Sequence, residues 1–243
     1  MTSRTESEIQ HGKRLAGDDT EYLWGWGTPA GKIRAGRRAE LIATGAQLGR
    51  RKRVLEIGCG TGMFTEMFSK TGAQLVAVDI SADLLEKAKT RCLPKGQVHF
   101  HRKRFEDCDV DGPFDAVIGS SVLHHLDLEQ ALSKMYYLLK PGGIVSFAEP
   151  NMLNPQVFIE RRFRKFFPYV SPDETAFVRW TLRNAFLTAG FEQVETIPFD
   201  YLHPATPVAI INLVKALGMC LEKTPLMREF AGSLYIRASR PLK

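Results

Sequence analysis

Val54-Leu55-Glu56-Ile57-Gly58-Cys59-Gly60-Thr61-Gly62 joins a short apolar run, of strand length, to three glycines at alternate positions, and an amphipathic helical pattern starts near Thr61. Glycine adopts positive φ at little cost and carries no Cβ, so a turn built on Gly58, Gly60 and Gly62 bends sharply and lets backbone come close to a ligand. Strand, glycine turn and helix in this order predict an α/β fold with its ligand at the carboxyl ends of the strands.

The spacing discriminates among nucleotide ligands. A dinucleotide site wants Gly-x-Gly-x-x-Gly, whereas here the third glycine falls one position early and Met63 stands where that pattern needs a small residue. Glu56, at the carboxyl end of the strand, repels a diphosphate but suits an ammonium or a polarised hydroxyl. Residues 74–78 form a second apolar strand, and Asp79 follows at the position where Rossmann-like folds place the carboxylate that binds ribose hydroxyls. Ser81 caps the next helix, whose inner face is Leu84, Leu85 and Ala88. Two acids flanking a compact glycine turn point to S-adenosylmethionine, with Glu56 on its methionine or ribose part and Asp79 on its ribose hydroxyls.

The Glu-Ile-Gly-Cys-Gly-Thr-Gly turn together with Asp79 resembles the class I, seven-stranded S-adenosylmethionine-dependent methyltransferases. Phe114-Asp115-Ala116-Val117-Ile118-Gly119-Ser120-Ser121-Val122-Leu123-His124-His125-Leu126 is similar to the fourth strand of that family and its following loop, and Leu138-Leu139-Lys140-Pro141-Gly142-Gly143 to its turn into the fifth. The likeness covers roughly residues 50–150. It implies a Rossmann-like, doubly wound, seven-stranded and mostly parallel sheet with an antiparallel seventh strand. It also implies that Gly58, Cys59, Gly60, Ile80, Ser120 and Ser121 adjoin the cofactor, with Ser121 and His124 nearest the methyl. Many relatives carry Gly-Asp-Ala after the third strand, where this chain has Lys103-Arg104-Phe105. Phe105 is then the residue to flank the adenine, with Glu106 or Asp107 as acceptor for its amino group.

A chain of 243 residues, 44% hydrophobic and 25% charged, can bury one α/β core. The expected organisation is a disordered or loosely ordered segment 1–20, then one methyltransferase domain over 21–243. Within it lie an N-terminal lid (21–48), an inserted helical cap (152–174) and an insertion between the sixth and seventh strands (198–232). No apolar run reaches the ~20 residues of a membrane span and the polar start lacks a signal-peptide core, so a cytoplasmic location is expected. Cys59, Cys92, Cys108 and Cys220 are too scattered for a disulfide framework or a zinc site, and no metal is expected. A net charge of +6 spread over the chain does not suggest nucleic-acid binding.

Strands are expected at 98–101, 144–148, 191–197 and 233–238, and helices at 33–48, 127–139, 175–189 and 207–220. Asp173 and Glu174 read as helix-start acids. The apolar residues of the 207–220 helix would cover the cap or a second subunit, which leaves monomer and homodimer open. Arg161-Arg162-Phe163-Arg164-Lys165-Phe166-Phe167 reads either as a surface helix whose phenylalanines pack on the core, or as a contact for an acidic substrate or an anionic membrane surface. Tyr22, Trp24 and Trp26 would either shield a sulfonium from water or anchor the first helix.

Methyl transfer is an in-line displacement in which alignment alone can be worth ~7 to 11 kcal/mol, so no metal or nucleophilic triad is needed. Where a hydroxyl, thiol or ammonium accepts the methyl, a proton must leave. His124 and His125 are the candidate bases, Glu149 is an alternative acceptor, and Asn151 and His203 are candidates to touch substrate. The expected acceptor is a small-molecule or lipid-like metabolite. A catalytically silent cofactor-binding partner would keep the same cofactor residues, whereas a nicotinamide oxidoreductase is disfavoured by the glycine spacing and Glu56.

Overall fold

A computed structural model describes residues 19–167 and 175–243 together with Glu6, Gln10 and Lys13. Seven strands form one sheet: β1 (Arg53–Ile57), β2 (Gln74–Asp79), β3 (Val98–Arg102), β4 (Phe114–Ser120), β5 (Leu139–Pro150), β6 (Glu192–Phe199) and β7 (Ser233–Ser239). Their order is β3-β2-β1-β4-β5-β7-β6, with β7 antiparallel to both of its neighbours and the pairs from β3 to β5 parallel. The chain reverses direction across the sheet between β1 and β4, and such a switch point opens a crevice at the strand ends.

Nine α-helices surround the sheet among the described residues: α1 (Thr20–Leu23), α2 (Pro29–Gly45), α3 (Met63–Ser69), α4 (Ala82–Lys89), α5 (Leu128–Leu138), α6 (Pro155–Arg162), α7 (Arg179–Thr188), α8 (Ile211–Lys223) and α9 (Pro225–Arg228). Alternation along each strand builds two apolar layers. Val54, Ala116 and Ile118 face α2 and α3 through Ile42 and Phe68. Leu55, Ile57 and Val117 face α5 and α7 through Leu132, Met135 and Phe186. No helix among the described residues is long and apolar enough to cross a membrane.

Several boundaries differ from those read in the sequence. Helix α2 begins at Pro29 because Thr28 caps it, accepting from the Gly31 amide, and proline fits the first turn. Helix α7 begins at Arg179, four residues later than expected. Phe177 is instead extended, bridging to Asn151 and exchanging backbone bonds with Pro150 and Met152. Strand β5 reaches back to Leu139, pairing with Phe114 before a register shift around the glycine turn. The 207–220 segment splits into a 3-10 turn (Val208–Ile210) and α8, and Leu213, Leu217 and Met219 of α8 are exposed. In the cap, α6 and the 3-10 turn Arg164–Phe166 bury no residue fully, and Phe158, Phe163 and Phe166 are exposed, so these phenylalanines do not pack into the core. Asp173, Glu174 and nearly all of residues 1–20 lie outside the described residues.

Candidate active site

At the carboxyl end of β1 the glycine turn folds back over β2. Gly58 and Cys59 donate to the Val78 carbonyl at 2.8 and 3.2 Å, and Gly58 (φ 66°) and Gly60 (φ 51°) occupy the left-handed region. A Cβ on Gly58 would stand 2.4 Å from Val122 Cγ2, so only glycine fits. Asp79, at the tip of β2, accepts from the Gly60 amide (2.7 Å) and the Ser81 amide (2.8 Å). Burial raises its pKa and these amides offset only part of that, leaving a carboxylate pinned to the turn with lone pairs to spare.

Turn and carboxylate form one wall of a cavity of about 840 Å³. Gly58, Cys59, Gly60, Asp79, Ile80, Phe105, Ser120, Ser121, His124, His125, Trp24, Trp26 and His203 all line it. Three residues expected at the site do not. Glu56 points from β1 to the side of Val54, is 2% exposed, and stands behind the turn with Oε2 unpartnered among the described residues. Desolvation pushes its pKa up to about 8; Thr65 approaches from α3 and opposes the shift without reaching hydrogen-bond geometry. Asn151 is buried outside the cavity as a brace, its Nδ2 donating to the Glu229 and Ala231 carbonyls at 2.8 and 2.7 Å. Glu149 is also fully buried outside the cavity, which it reaches through partners that line it, His124 and Val122.

His124 Nδ1 lies 2.6 Å from Glu149 Oε2, while Glu149 Oε1 accepts from the Val122 and Leu123 amides, both at 2.9 Å. Burial alone would raise the Glu149 pKa, but the His124 charge and these hydrogen bonds outweigh it and hold the carboxyl below its ordinary range. An ionised carboxylate only accepts, so Nδ1 carries a proton toward Glu149 and Nε2 is the nitrogen left to exchange one. The His125 ring is tilted against it at a centroid distance of 4.2 Å.

Arg38 was not singled out by the sequence. Its guanidinium, 2% exposed, reaches the cavity wall from α2, donating to Ser121 Oγ (2.9 Å), the Ala148 carbonyl (2.9 Å) and Ser233 Oγ (2.6 Å). All these acceptors are neutral, and Nε has no partner among the described residues. Desolvation first, then the neighbouring charge of Arg34, lowers its pKa to about 10, so it remains a cation at neutral pH. The available signal was its place at helical spacing on the stripe Ala35, Ala39 and Ile42, where a charge needs a reason.

The lid closes one side. Trp26 packs edge-on against Phe64 (5.7 Å) beneath the guanidinium groups of Arg34 and Arg38 (5.4 and 5.2 Å), so it both anchors α2 and walls the cavity. Trp24 lies 3.3 Å from the position of a Cβ on Gly60. Glu21 accepts from Thr61 Oγ1 at 2.8 Å and pairs with Arg91, tying the lid to the turn and to the end of α4. Opposite, His203 Nε2 stands 2.6 Å from the Gln156 amide of the cap.

Residues 55–145 match the family described as methyltransferase domain. Over 135 residues the chain is 32% identical to the ubiquinone biosynthesis O-methyltransferase of Methylococcus capsulatus, an overlap of 52% of this chain and 56% of that protein. Across the first three curated relatives the overlap spans 30%, 56% and 40% of their own lengths. Among solved structures, the N-methyltransferase NodS from Bradyrhizobium japonicum, in complex with S-adenosyl-L-homocysteine, superposes with a TM-score of 0.66 at 18% identity, covering 96% of this chain and 98% of that one. The [4+2]-cyclase SpnF superposes with a TM-score of 0.60 at 18% identity over 86% and 82%. Residues 55–145 thus match a methyltransferase domain, and the seven-stranded sheet has the fold of these solved structures.

Two features of the site fit S-adenosylmethionine. The Cβ-free turn offers its backbone under Trp24, and a buried arginine bound only to neutral groups meets the need of an amino-acid carboxylate.

Proposed function

We propose that this protein transfers the methyl group of S-adenosylmethionine to a small-molecule or lipid-like metabolite. The observation that carries this reading is the convergence on one cavity of the glycine turn, Asp79, Arg38 and a carboxylate-oriented histidine. The curated relatives named as O-methyltransferases support it.

Bound S-adenosylmethionine supplies a methyl carbon activated by an adjacent sulfonium. Asp79 would bind its ribose hydroxyls and Arg38 its carboxylate, while Phe105 and Ile80 border the adenine side. Ser120 and Ser121 hold the Arg38 fork in place. Trp24 and Trp26 wall the cavity and would exclude water from it. His124 takes the proton from an acceptor hydroxyl or ammonium at Nε2, and Glu149 stabilises the imidazolium from the other side. In this arrangement Glu149 orients the base and is not itself the base.

Fold alone does not fix the reaction, since a cyclase shares it. Incubation with methyl-labelled cofactor and extracted aqueous and organic metabolites tests the reading. Label in a discrete product supports it, and cofactor binding without any transfer overturns it in favour of a silent binding partner. His124→Ala should slow turnover by ~10² to 10⁴ while leaving affinity for S-adenosylhomocysteine unchanged. An unaltered rate would remove its role as base.

A further inference from the structure

The cap helix α6 is built inside out. Its inward side carries Val157, Glu160 and Arg161, which line the cavity, while Phe158 (51% exposed) and Ile159 (46%) face outward. The pattern continues past the helix, where Phe163 and Phe166 are 50% and 79% exposed and alternate with exposed Arg162 and Lys165. A helix bathed only in water gains by presenting its polar residues outward, so an outer face of three phenylalanines and an isoleucine needs a partner with an apolar interior. No acid interrupts residues 161–167, so that partner carries negative charge on its surface. Apolar insertion flanked by basic side chains is the chemistry of an interfacial helix on an anionic bilayer.

We infer that α6 and the turn after it dock the protein on an anionic phospholipid bilayer, with the mouth of the cavity turned toward the lipid. The phenylalanines enter the headgroup boundary, and Arg162 and Lys165 meet lipid phosphates. Because the inner side of the same helix lines the cavity, an amphiphilic acceptor passes from membrane to site along α6. This deepens the proposal of a lipid-like acceptor and rests on it for its purpose, though the docking itself requires no methyl transfer.

Co-sedimentation of the full chain with phosphatidylcholine vesicles, with and without ~30% phosphatidylglycerol, tests the inference. Binding is expected only with the anionic lipid and should fall in high salt, because surface charges are screened. Phe163→Ser with Phe166→Ser, and separately Arg162→Gln with Lys165→Gln, should each weaken binding on the order of tenfold or more. These side chains are exposed and lie outside the cavity lining, so affinity for S-adenosylhomocysteine should persist in both variants and serves as the check on folding. Absence of vesicle binding, equal binding to neutral vesicles, or variants that bind like the parent would overturn the inference. So would a solution dimer that the phenylalanine variant dissolves, since a second copy would then cover the face. Failure of methyl transfer on soluble acceptors leaves the vesicle result unaffected, so the two proposals fail separately.

Discussion

Glu56 sits behind the glycine turn with its pKa pushed up to about 8 by burial. Between about pH 4.5 and about 8 the native state therefore keeps a proton that the unfolded chain releases, and stability falls as pH rises through that window, by up to ~1.4 kcal/mol per unit. Glu56→Gln should abolish this dependence and gain on the parent as pH rises; urea midpoints at pH 5.5 and 7.5 measure it, and parallel slopes would refute it. Glu149 titrates in the opposite sense: its depressed pKa contributes stability at neutral pH that is lost only on acidification. For Arg38, replacement by lysine keeps a charge but loses the planar fork that reaches Ser121, Ala148 and Ser233 together. Arg38→Lys should weaken S-adenosylhomocysteine binding by ~1.5 to 3 kcal/mol in calorimetry. The place of Asp79 was legible because it follows from local order, strand tip after glycine turn. Arg38 was not, because the hydroxyls that position it stand 83 and 195 residues away and only the folded sheet brings them together. Glu56 shows the limit of adjacency: strand alternation turned it to the far side of the turn from the cavity.

Among the elements, the lid and α2 meet at Gly31, where a Cβ would lie 1.8 Å from the Gly25 carbonyl oxygen. Gly31→Ala should push away the loop that carries Trp24 and Trp26, at a cost of ~1 to 3 kcal/mol. Cofactor affinity should fall with it while the sheet stays intact by circular dichroism. The strands and core helices from β1 to α5 were legible because each announces itself by period, cap or turn residue. Ser81 does cap its helix as its position suggested, accepting from the Leu84 amide, and Asp127 caps α5 in the same way, accepting from the Gln130 amide. The start of α7 was hidden, because Phe177 is held extended by backbone partners near Asn151 that no local pattern reveals. The cap was left between two readings for a related reason: alternating arginine and phenylalanine fit equally a helix packed inward and one turned out.

Across the whole molecule, the segment before the sheet and the insertion after β6 converge on the cavity from distant parts of the chain. Arg37 of α2 grips Glu222 of α8 through two bonds of 2.7 and 2.6 Å, and Arg34 pairs with Asp200 at 2.7 Å. A ligand held between them stabilises the assembled state by mass action. S-adenosylhomocysteine at ~100 times its Kd should therefore add ~2.7 kcal/mol, visible as a rise in Tm. The strap formed by Glu21, Thr61 and Arg91 closes the same compartment on the nucleoside side. Under the proposed function, a spent nucleoside leaving by that side would first have to unfasten this clasp of carboxylate and guanidinium, which would slow each turn of the reaction. Loosening it with Glu21→Gln should quicken escape of S-adenosylhomocysteine a few-fold in stopped-flow displacement, and where departure limits the cycle the weaker clasp gives the faster enzyme.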